Sequence, residues 1–221
     1  MNNRLFAIGD IHGCFNSFKK MIEVEIQLTK SDKVVLLGDY IDRGPQSKEV
    51  IDYIIELKEK GFDIIPLRGN HEQMLLDAFD NKEHTSIWML NGGHKTLKSF
   101  GISSIQHFGT NYIDFFGSLR FFFEFNNYLF VHAGFNDEIE NPFSDPYHMI
   151  WRCREEYNHP LLKDKTIVHG HCVIPSMTCD VRIKKINDRV INLDTGCVYT
   201  HHSGYGRLTA LEITSREIFF V

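Results

Sequence analysis

The sequence has no surplus of basic residues, no cysteine pair at C-x-x-C spacing and no apolar run of bilayer-spanning length, and each absence closes off a class of function. Lys and Arg number 24 against 29 Asp and Glu, a formal net charge of −5, so there is no electrostatic footprint for a phosphodiester backbone and no standing nucleic-acid partner is expected. Any affinity for phosphate must come from a local site. Apolar runs stop well short of the roughly 20 residues of a spanning helix, so no membrane partner is expected either. Met1 to Arg4 lead straight into an apolar strand, without the basic region, long apolar core and small-residue cleavage site of a secretion signal. Five cysteines, Cys14, Cys153, Cys172, Cys179 and Cys197, form an odd and scattered set. That usage reads as reduced thiols in a cytoplasmic protein rather than as a disulfide framework. Internal repeats and low-complexity segments are also missing.

What remains is an ordinary globular composition, 43% hydrophobic and 24% charged over 221 residues, which can bury a core and is read as a single domain over residues 1–221. Short aliphatic runs recur at Leu5–Ile8, Val34–Leu37, Ile64–Leu67, Tyr128–Val131, Thr166–Val168 and Val190–Leu193. Each has strand length, and several end in Gly, Asp, Asn or His, where functional loops sit in α/β folds. Apolar stripes of helical period predict helices over Phe15–Ile26 and Ser47–Lys60, with shorter ones at Glu72–Phe79 and Thr85–Leu90, the last broken by Asn91-Gly92-Gly93. Asn126-Asn127 and Asn187-Asp188 predict two hairpins, Phe121–Phe125 with Tyr128–Val131 and Arg182–Ile186 with Arg189–Leu193. Leu208–Ile213 and Glu217–Val221 close the chain as strands. An α/β beginning followed by antiparallel strands points to sheets packed face to face with helices outside.

The chemistry-bearing residues sit on successive strand-end loops. Gly9-Asp10-Ile11-His12-Gly13 follows the first strand, Gly38-Asp39-Tyr40-Ile41-Asp42-Arg43-Gly44 the second and Gly69-Asn70-His71-Glu72 the third; His132-Ala133-Gly134 and His169-Gly170-His171 come later. One such motif would be weak, since Asp and Asn at strand ends are common turn formers and caps. The ordered set is a different matter. Mixed carboxylate, imidazole and amide-oxygen donors suit borderline divalent ions such as Mn²⁺, Fe²⁺ and Zn²⁺. The two-residue step from Asp10 to His12 lets both side chains leave an extended segment on one side and chelate one ion.

These motifs, spanning Gly9 to His171, resemble those of the phosphoprotein-phosphatase (Ser/Thr phosphatase) branch of the calcineurin-like metallophosphoesterases. Gly69-Asn70-His71-Glu72-Gln73-Met74 and Trp88-Met89-Leu90-Asn91-Gly92-Gly93 are similar to the bacterial and bacteriophage type. The resemblance implies a four-layer αββα sandwich of two mixed sheets flanked by helices. It also implies a dinuclear metal site of Asp10, His12, Asp39, Asn70, His132 and His171, with Asp39 bridging and Mn²⁺ the expected cofactor, Fe or Zn being acceptable. The implied reaction is in-line attack on phosphorus by a metal-bridging hydroxide. Arg43 and Asn70 would bind the phosphate and His71, oriented by Asp42, would protonate the leaving oxygen. A further arginine usually follows a tryptophan as W-x-R; Trp151-Arg152-Cys153-Arg154 offers Arg152 and Arg154 on either side of that spacing. The expected activity is a metal-dependent Ser/Thr protein phosphatase, with a phosphorylated protein or small phosphoester as substrate. Asn192-Leu193-Asp194-Thr195-Gly196-Cys197 is also similar to symmetrical diadenosine tetraphosphate hydrolases of the same branch, which is the alternative, and an inactive phosphate-binding module is a third. Asp194 reads as a structural or outer-shell group, His169 as an outer-shell neighbour of His171, and Cys14 and Cys172 as inert thiols, with redox control as the alternative. The phenylalanines Phe115, Phe116, Phe121, Phe122, Phe123 and Phe125 read mostly as core.

Overall fold

The computed structural model describes residues 3–184 and 188–221. In chain order, β1 (Leu5–Ile8) is followed by α1 (Phe15–Lys20), β2 (Lys33–Leu36), α2 (Ser47–Glu59), β3 (Asp63–Pro66) and α3 (Asn70–Asp80). Then come α4 (Thr85–Trp88), α5 (His94–Phe100), α6 (Thr110–Ser118), β4 (Phe122–Phe125), β5 (Tyr128–Val131), α7 (Pro146–Trp151), β6 (Thr166–His169), α8 (Ser176–Lys184), β7 (Val190–Asn192), β8 (Thr209–Glu212) and β9 (Ile218–Phe220). The strands form two mixed sheets, ordered β3-β2-β1-β8-β9 and β4-β5-β6-β7. In the first, β1, β2 and β3 run parallel and β8 and β9 antiparallel; in the second, β5, β6 and β7 run parallel and β4 antiparallel.

Side-chain alternation builds the layers. Along β1, Leu5 and Ala7 face the inter-sheet core with Phe130, Val168 and Ile191, while Phe6 and Ile8 face the helical side with Phe18, Val50 and Ile54. Along β5, Phe130 points between the sheets and Leu129 and Val131 point outward to Phe135, Met149 and Leu162. Period-two strands buried on both faces read as the continuous apolar runs seen in the sequence. The expected sandwich of two mixed sheets flanked by helices is therefore the fold observed.

Several local expectations need correction. The helix expected over Phe15–Ile26 ends as α-helix at Lys20, and Met21–Glu25 widens into a π-helical turn in which the Ile26 N–H bonds to the Met21 carbonyl at 3.0 Å. The apolar stripe survives, with Phe18, Met21, Ile22 and Ile26 all buried. Asn91-Gly92-Gly93 breaks the helix as expected: Gly92 takes a non-helical φ of 111°, and a further helix, α5, begins at His94. The hairpin at Asn126-Asn127 forms as expected. The one expected at Asn187-Asp188 does not, because Arg182 and Ile183 lie in α8 and β7 pairs with β6 instead; Lys185, Ile186 and Asn187 lie outside the described residues. Burying Cys179 and Ile183 against the inter-sheet core overrides the local alternation. The expectation that all thiols are reduced is also overturned: Cys153 and Cys172 form a disulfide, Cα–Cα 6.6 Å, while Cys14, Cys179 and Cys197 are free. The pair stands 19 positions apart in sequence, and only the fold lays the segment after α7 over the turn after β6.

Candidate metal centre

Every loop singled out in the sequence leaves the C-terminal end of a parallel strand: Gly9–Gly13 after β1, Gly38–Gly44 after β2, Gly69–His71 at the start of α3, His132 after β5, His171 after β6 and Asp194 after β7. Parallel strands of both sheets thus end along one edge, the place where such folds assemble sites. Among the described non-glycine residues with positive φ are His12 (44°), Asp39 (53°), Asp42 (69°), Arg43 (63°) and His171 (65°). Left-handed backbone at side-chain-bearing residues costs free energy and is found where the site needs it.

Two donor clusters share Asp39. His12, Asp39 and His71 form one, and Asp39, His132 and His171 the other, with the donor atoms in each within 4.8 Å of one another. In the second cluster His132 Nε2 lies 2.9 Å from Asn70 Oδ1 and 3.1 Å from His171 Nδ1, and His171 Nδ1 lies 3.0 Å from the same Asn70 oxygen. The Asp39 carboxylate completes it, Oδ1 standing 3.5 Å from His132 Nε2. In the first, His12 Nε2 lies 3.4 Å and His71 Nε2 3.9 Å from Asp39 Oδ2. Asp10 belongs to neither triad but accepts the His171 N–H at 3.2 Å.

The tautomers show that these residues fit metal ions. A carbonyl can only accept, so His12 Nδ1, 2.9 Å from the Ile41 carbonyl, and His132 Nδ1, 3.0 Å from that of Leu37, must carry the protons. Both Nε2 atoms therefore face the cluster as lone pairs, as in ligating histidines anchored from behind. A lone pair of His132 then points at the carbonyl oxygen of Asn70, an arrangement that repels unless a cation lies between. Burial keeps these imidazoles neutral: it lowers His12 and His132 and brings His171 down to about 4, the deprotonated state a metal requires. For Asp39, burial works to raise the pKa, while His132, His71, His12 and His171 lower it through the charge they carry when protonated. Burial and the charges of Asp194 and Asp39 raise Asp10. A Cβ at Gly69 would strike the Asp39 carboxylate, and one at Gly170 the Asp10 carboxylate; the glycines hold space for the donors.

His71 stands apart from the simple ligand pattern. Its Nδ1 is 2.7 Å from Asp42 Oδ2, and its Nε2 is buried without a hydrogen-bond partner. Asp42 is in turn held by Trp88 Nε1 at 3.0 Å and by the Thr96 hydroxyl at 2.6 Å. Arg43 Nη1 reaches His12 Nε2 at 2.8 Å, a donor meeting the lone pair established above. Trp151 packs edge-to-face on His171, ring centroids 6.2 Å apart, which brings the arginine segment to the rim. There Arg154 is engaged by Glu138 at 2.6 Å, while Arg152 is exposed, lies over the Tyr147 ring and has no ion-pair partner among the described residues.

Sequence reasoning left Glu72 without a role. Its buried carboxylate accepts the N–H groups of Asp39 (2.9 Å), Gly69 (3.0 Å), Tyr40 (2.8 Å) and Ile41 (3.3 Å), tying the second loop to the third. The signal was present: Glu three residues after Gly69, at the N-terminus of a helix, is half of a capping box. Thr96 carried no signal, because its partner Asp42 lies 54 residues away. Asp194 sits beside Asp10 and turns its own loop by accepting the Gly196 N–H at 2.9 Å, with burial pushing its pKa up to about 6. His169 is buried, with Nδ1 2.9 Å from the Gly170 carbonyl.

Two mixed sheets whose parallel strands end in converging imidazole, carboxylate and amide donors define the class of metal-dependent phosphoesterases. The chain belongs to the calcineurin-like phosphoesterase family, whose model matches residues 4–202. It is similar to serine/threonine-protein phosphatase 1 of Salmonella typhimurium, 39% identical over 89 residues, 40% of this chain and 38% of that protein. It is also similar to the symmetrical bis(5'-nucleosyl)-tetraphosphatase of Wigglesworthia glossinidia brevipalpis, 42% identical over 71 residues, 32% of this chain and 25% of that protein. The matched segments thus span well under half the length of either relative. A crystal structure described as a putative diadenosine tetraphosphatase shares the fold at a TM-score of 0.66, with 19% identity over 100% of this chain and 94% of that one. Among the described residues no helix is long and apolar enough to cross a membrane.

Proposed function

We propose that this metallophosphoesterase is a protein serine/threonine phosphatase acting on phosphomonoesters, a single catalytic domain over residues 1–221 working in the cytoplasm with two divalent ions, Mn²⁺ first among them. Asp10 and His12 would hold one ion and Asn70, His132 and His171 the other, with Asp39 available to both. When bound, the ions supply Lewis acidity and lower the pKa of water enough to make a nucleophile at neutral pH. Arg43, Asn70 and Arg152 receive the phosphate oxygens, Arg152 being favoured over Arg154 because Glu138 already engages Arg154. His71, charged and oriented by Asp42, gives its Nε2 proton to the leaving oxygen. Only Asp10 and Asp39 are anionic among the ligands, so the loaded site is net positive and draws in a phosphate dianion despite the acidic chain.

The observation that carries this reading is the triad of Asn70 Oδ1, His132 Nε2 and His171 Nδ1 within 3.1 Å of one another beside Asp39. A second reading, symmetrical cleavage of a dinucleoside tetraphosphate, is favoured by the 42% identity to the Wigglesworthia relative. After elemental analysis, a panel of phosphoserine peptide, p-nitrophenyl phosphate and diadenosine tetraphosphate with Mn²⁺ decides between them. A kcat/KM highest for the peptide supports the first reading and one highest for the dinucleotide the second. No turnover of any substrate refutes both and favours a phosphate-binding module.

A further inference from the structure

The Cys153–Cys172 bond joins two segments that the proposed chemistry needs. Cys172 directly follows His171, and Cys153 lies between Arg152 and Arg154. His171 sits at φ 65°, and its turn is held besides by the Gly170 N–H on the His132 carbonyl at 2.8 Å and by Trp151 packed on the His171 ring. The His171 N–H goes to Asp10 at 3.2 Å, the Cys172 N–H to the Gly170 carbonyl at 2.7 Å, and Asn192 Nδ2 to the Cys172 carbonyl. The bond is therefore a covalent brace on a strained metal-ligand turn. It is also open to attack: Cys172 is exposed and Cys153 half-buried, whereas Cys179 and Cys197 are buried. Cys14, whose thiol donates to the His12 carbonyl at 3.7 Å, and Cys197, on the loop after Asp194, remain thiols. Where dithiols are present, a solvent-accessible disulfide can exchange with them.

We propose that Cys153–Cys172 is a thiol–disulfide exchange site through which cellular dithiols loosen the His171 turn and weaken the second metal position. The inference rests on the ligand role proposed for His171. A dithiol's thiolate attacks Cys172 Sγ, the Cys153–Cys172 bond breaks and Cys153 leaves as a thiolate. The dithiol's second sulfur then displaces Cys172, so that two electrons pass from the dithiol, now a disulfide, to two protein thiols that take up protons. A low-molecular-weight disulfide reverses the sequence. Because the brace supports a ligand from behind, its loss lowers Mn²⁺ affinity by about 10–100-fold.

The test counts thiols and metal, independently of turnover. Purified protein is alkylated under denaturing conditions before and after dithiothreitol, and the reductant is removed under inert gas before Mn²⁺ titration. Three alkylated cysteines rising to five, a weaker isotherm after reduction and recovery with glutathione disulfide are expected. The Cys153→Ser/Cys172→Ser double variant should match reduced wild type and ignore the reductant; each single serine variant guards against a folding defect in the double. Five thiols without reductant, an unchanged isotherm, or an equal response of the double variant would each overturn the proposal. Absence of turnover alongside a redox-dependent isotherm would count against the phosphatase reading and leave this one standing.

Discussion

His71 donates from Nδ1 to Asp42 Oδ2 at 2.7 Å, with both side chains fully buried, and its Nε2 faces the shared Asp39 at 3.9 Å without a hydrogen-bond partner. Burial alone would lower the pKa of this imidazole, but the charges of Asp39 and Asp42 outweigh it and raise the value. A proton held on a buried nitrogen that faces the donor clusters is what the proposed general acid role needs. His71→Asn is therefore expected to cut kcat by roughly 10²–10⁴ while leaving metal content unchanged. Elemental analysis beside kinetics checks the assignment, and loss of bound metal would make His71 a ligand instead.

Asp39 is the one side chain common to both donor clusters. Asp39→Asn should deplete both metal positions at once, whereas His12→Ala should empty one and His132→Ala the other. Metal-to-protein ratios measured on the three variants test this, and an Asp39→Asn protein that keeps its full metal content would contradict the shared role.

Glu72 holds four backbone N–H groups of the Asp39 and Asn70 loops without access to solvent. Removing an acceptor from buried donors costs about 1–3 kcal/mol each, though not additively. Glu72→Ala should destabilise by on the order of 3 kcal/mol, a Tm fall of about 6–12 °C for a chain of this size. Glu72→Gln, which keeps one carbonyl oxygen, should lose less. Thermal melts of metal-free protein isolate this effect from metal binding, and equal melts for wild type and Glu72→Ala would refute it.

The extent to which this site could be read beforehand follows from the range of the forces. Strand-end loops announce themselves locally, because an apolar run followed by Gly-Asp or Gly-Asn is both a strand terminus and a donor. The six expected ligands accordingly meet at one edge, with Asp10 contacting the His171 backbone rather than joining a triad. What stayed hidden depends on distant partners: Thr96 on Asp42, Cys153 on Cys172, and α8, whose residues alternate like a strand until the inter-sheet core claims Cys179 and Ile183. The π-helical turn at Met21–Glu25 was hidden for another reason, since the apolar stripe of α-helical period continues through it.

Far from the metal centre, Asp32 offers a test of the electrostatics. It accepts from Arg4 Nε at 3.0 Å and Nη2 at 2.6 Å and from the Thr29 N–H at 2.8 Å. Burial works to raise its pKa, but these bonds outweigh it and hold the carboxyl at about 2, below its ordinary 3.8. The folded state thus binds the proton less readily than the unfolded chain. The contribution is complete above about pH 4 and disappears as pH falls through about 2, so stability from this group rises with pH in that window. Half-exposed Arg4 screens the pair, which reduces the expected contribution to on the order of 1–2 kcal/mol. Urea unfolding of metal-free wild type and Asp32→Asn should therefore show a gap at pH 5 that narrows toward pH 3. A gap that stays constant across that range would mean that Asp32 stabilises by packing and neutral hydrogen bonding, with its charge contributing nothing.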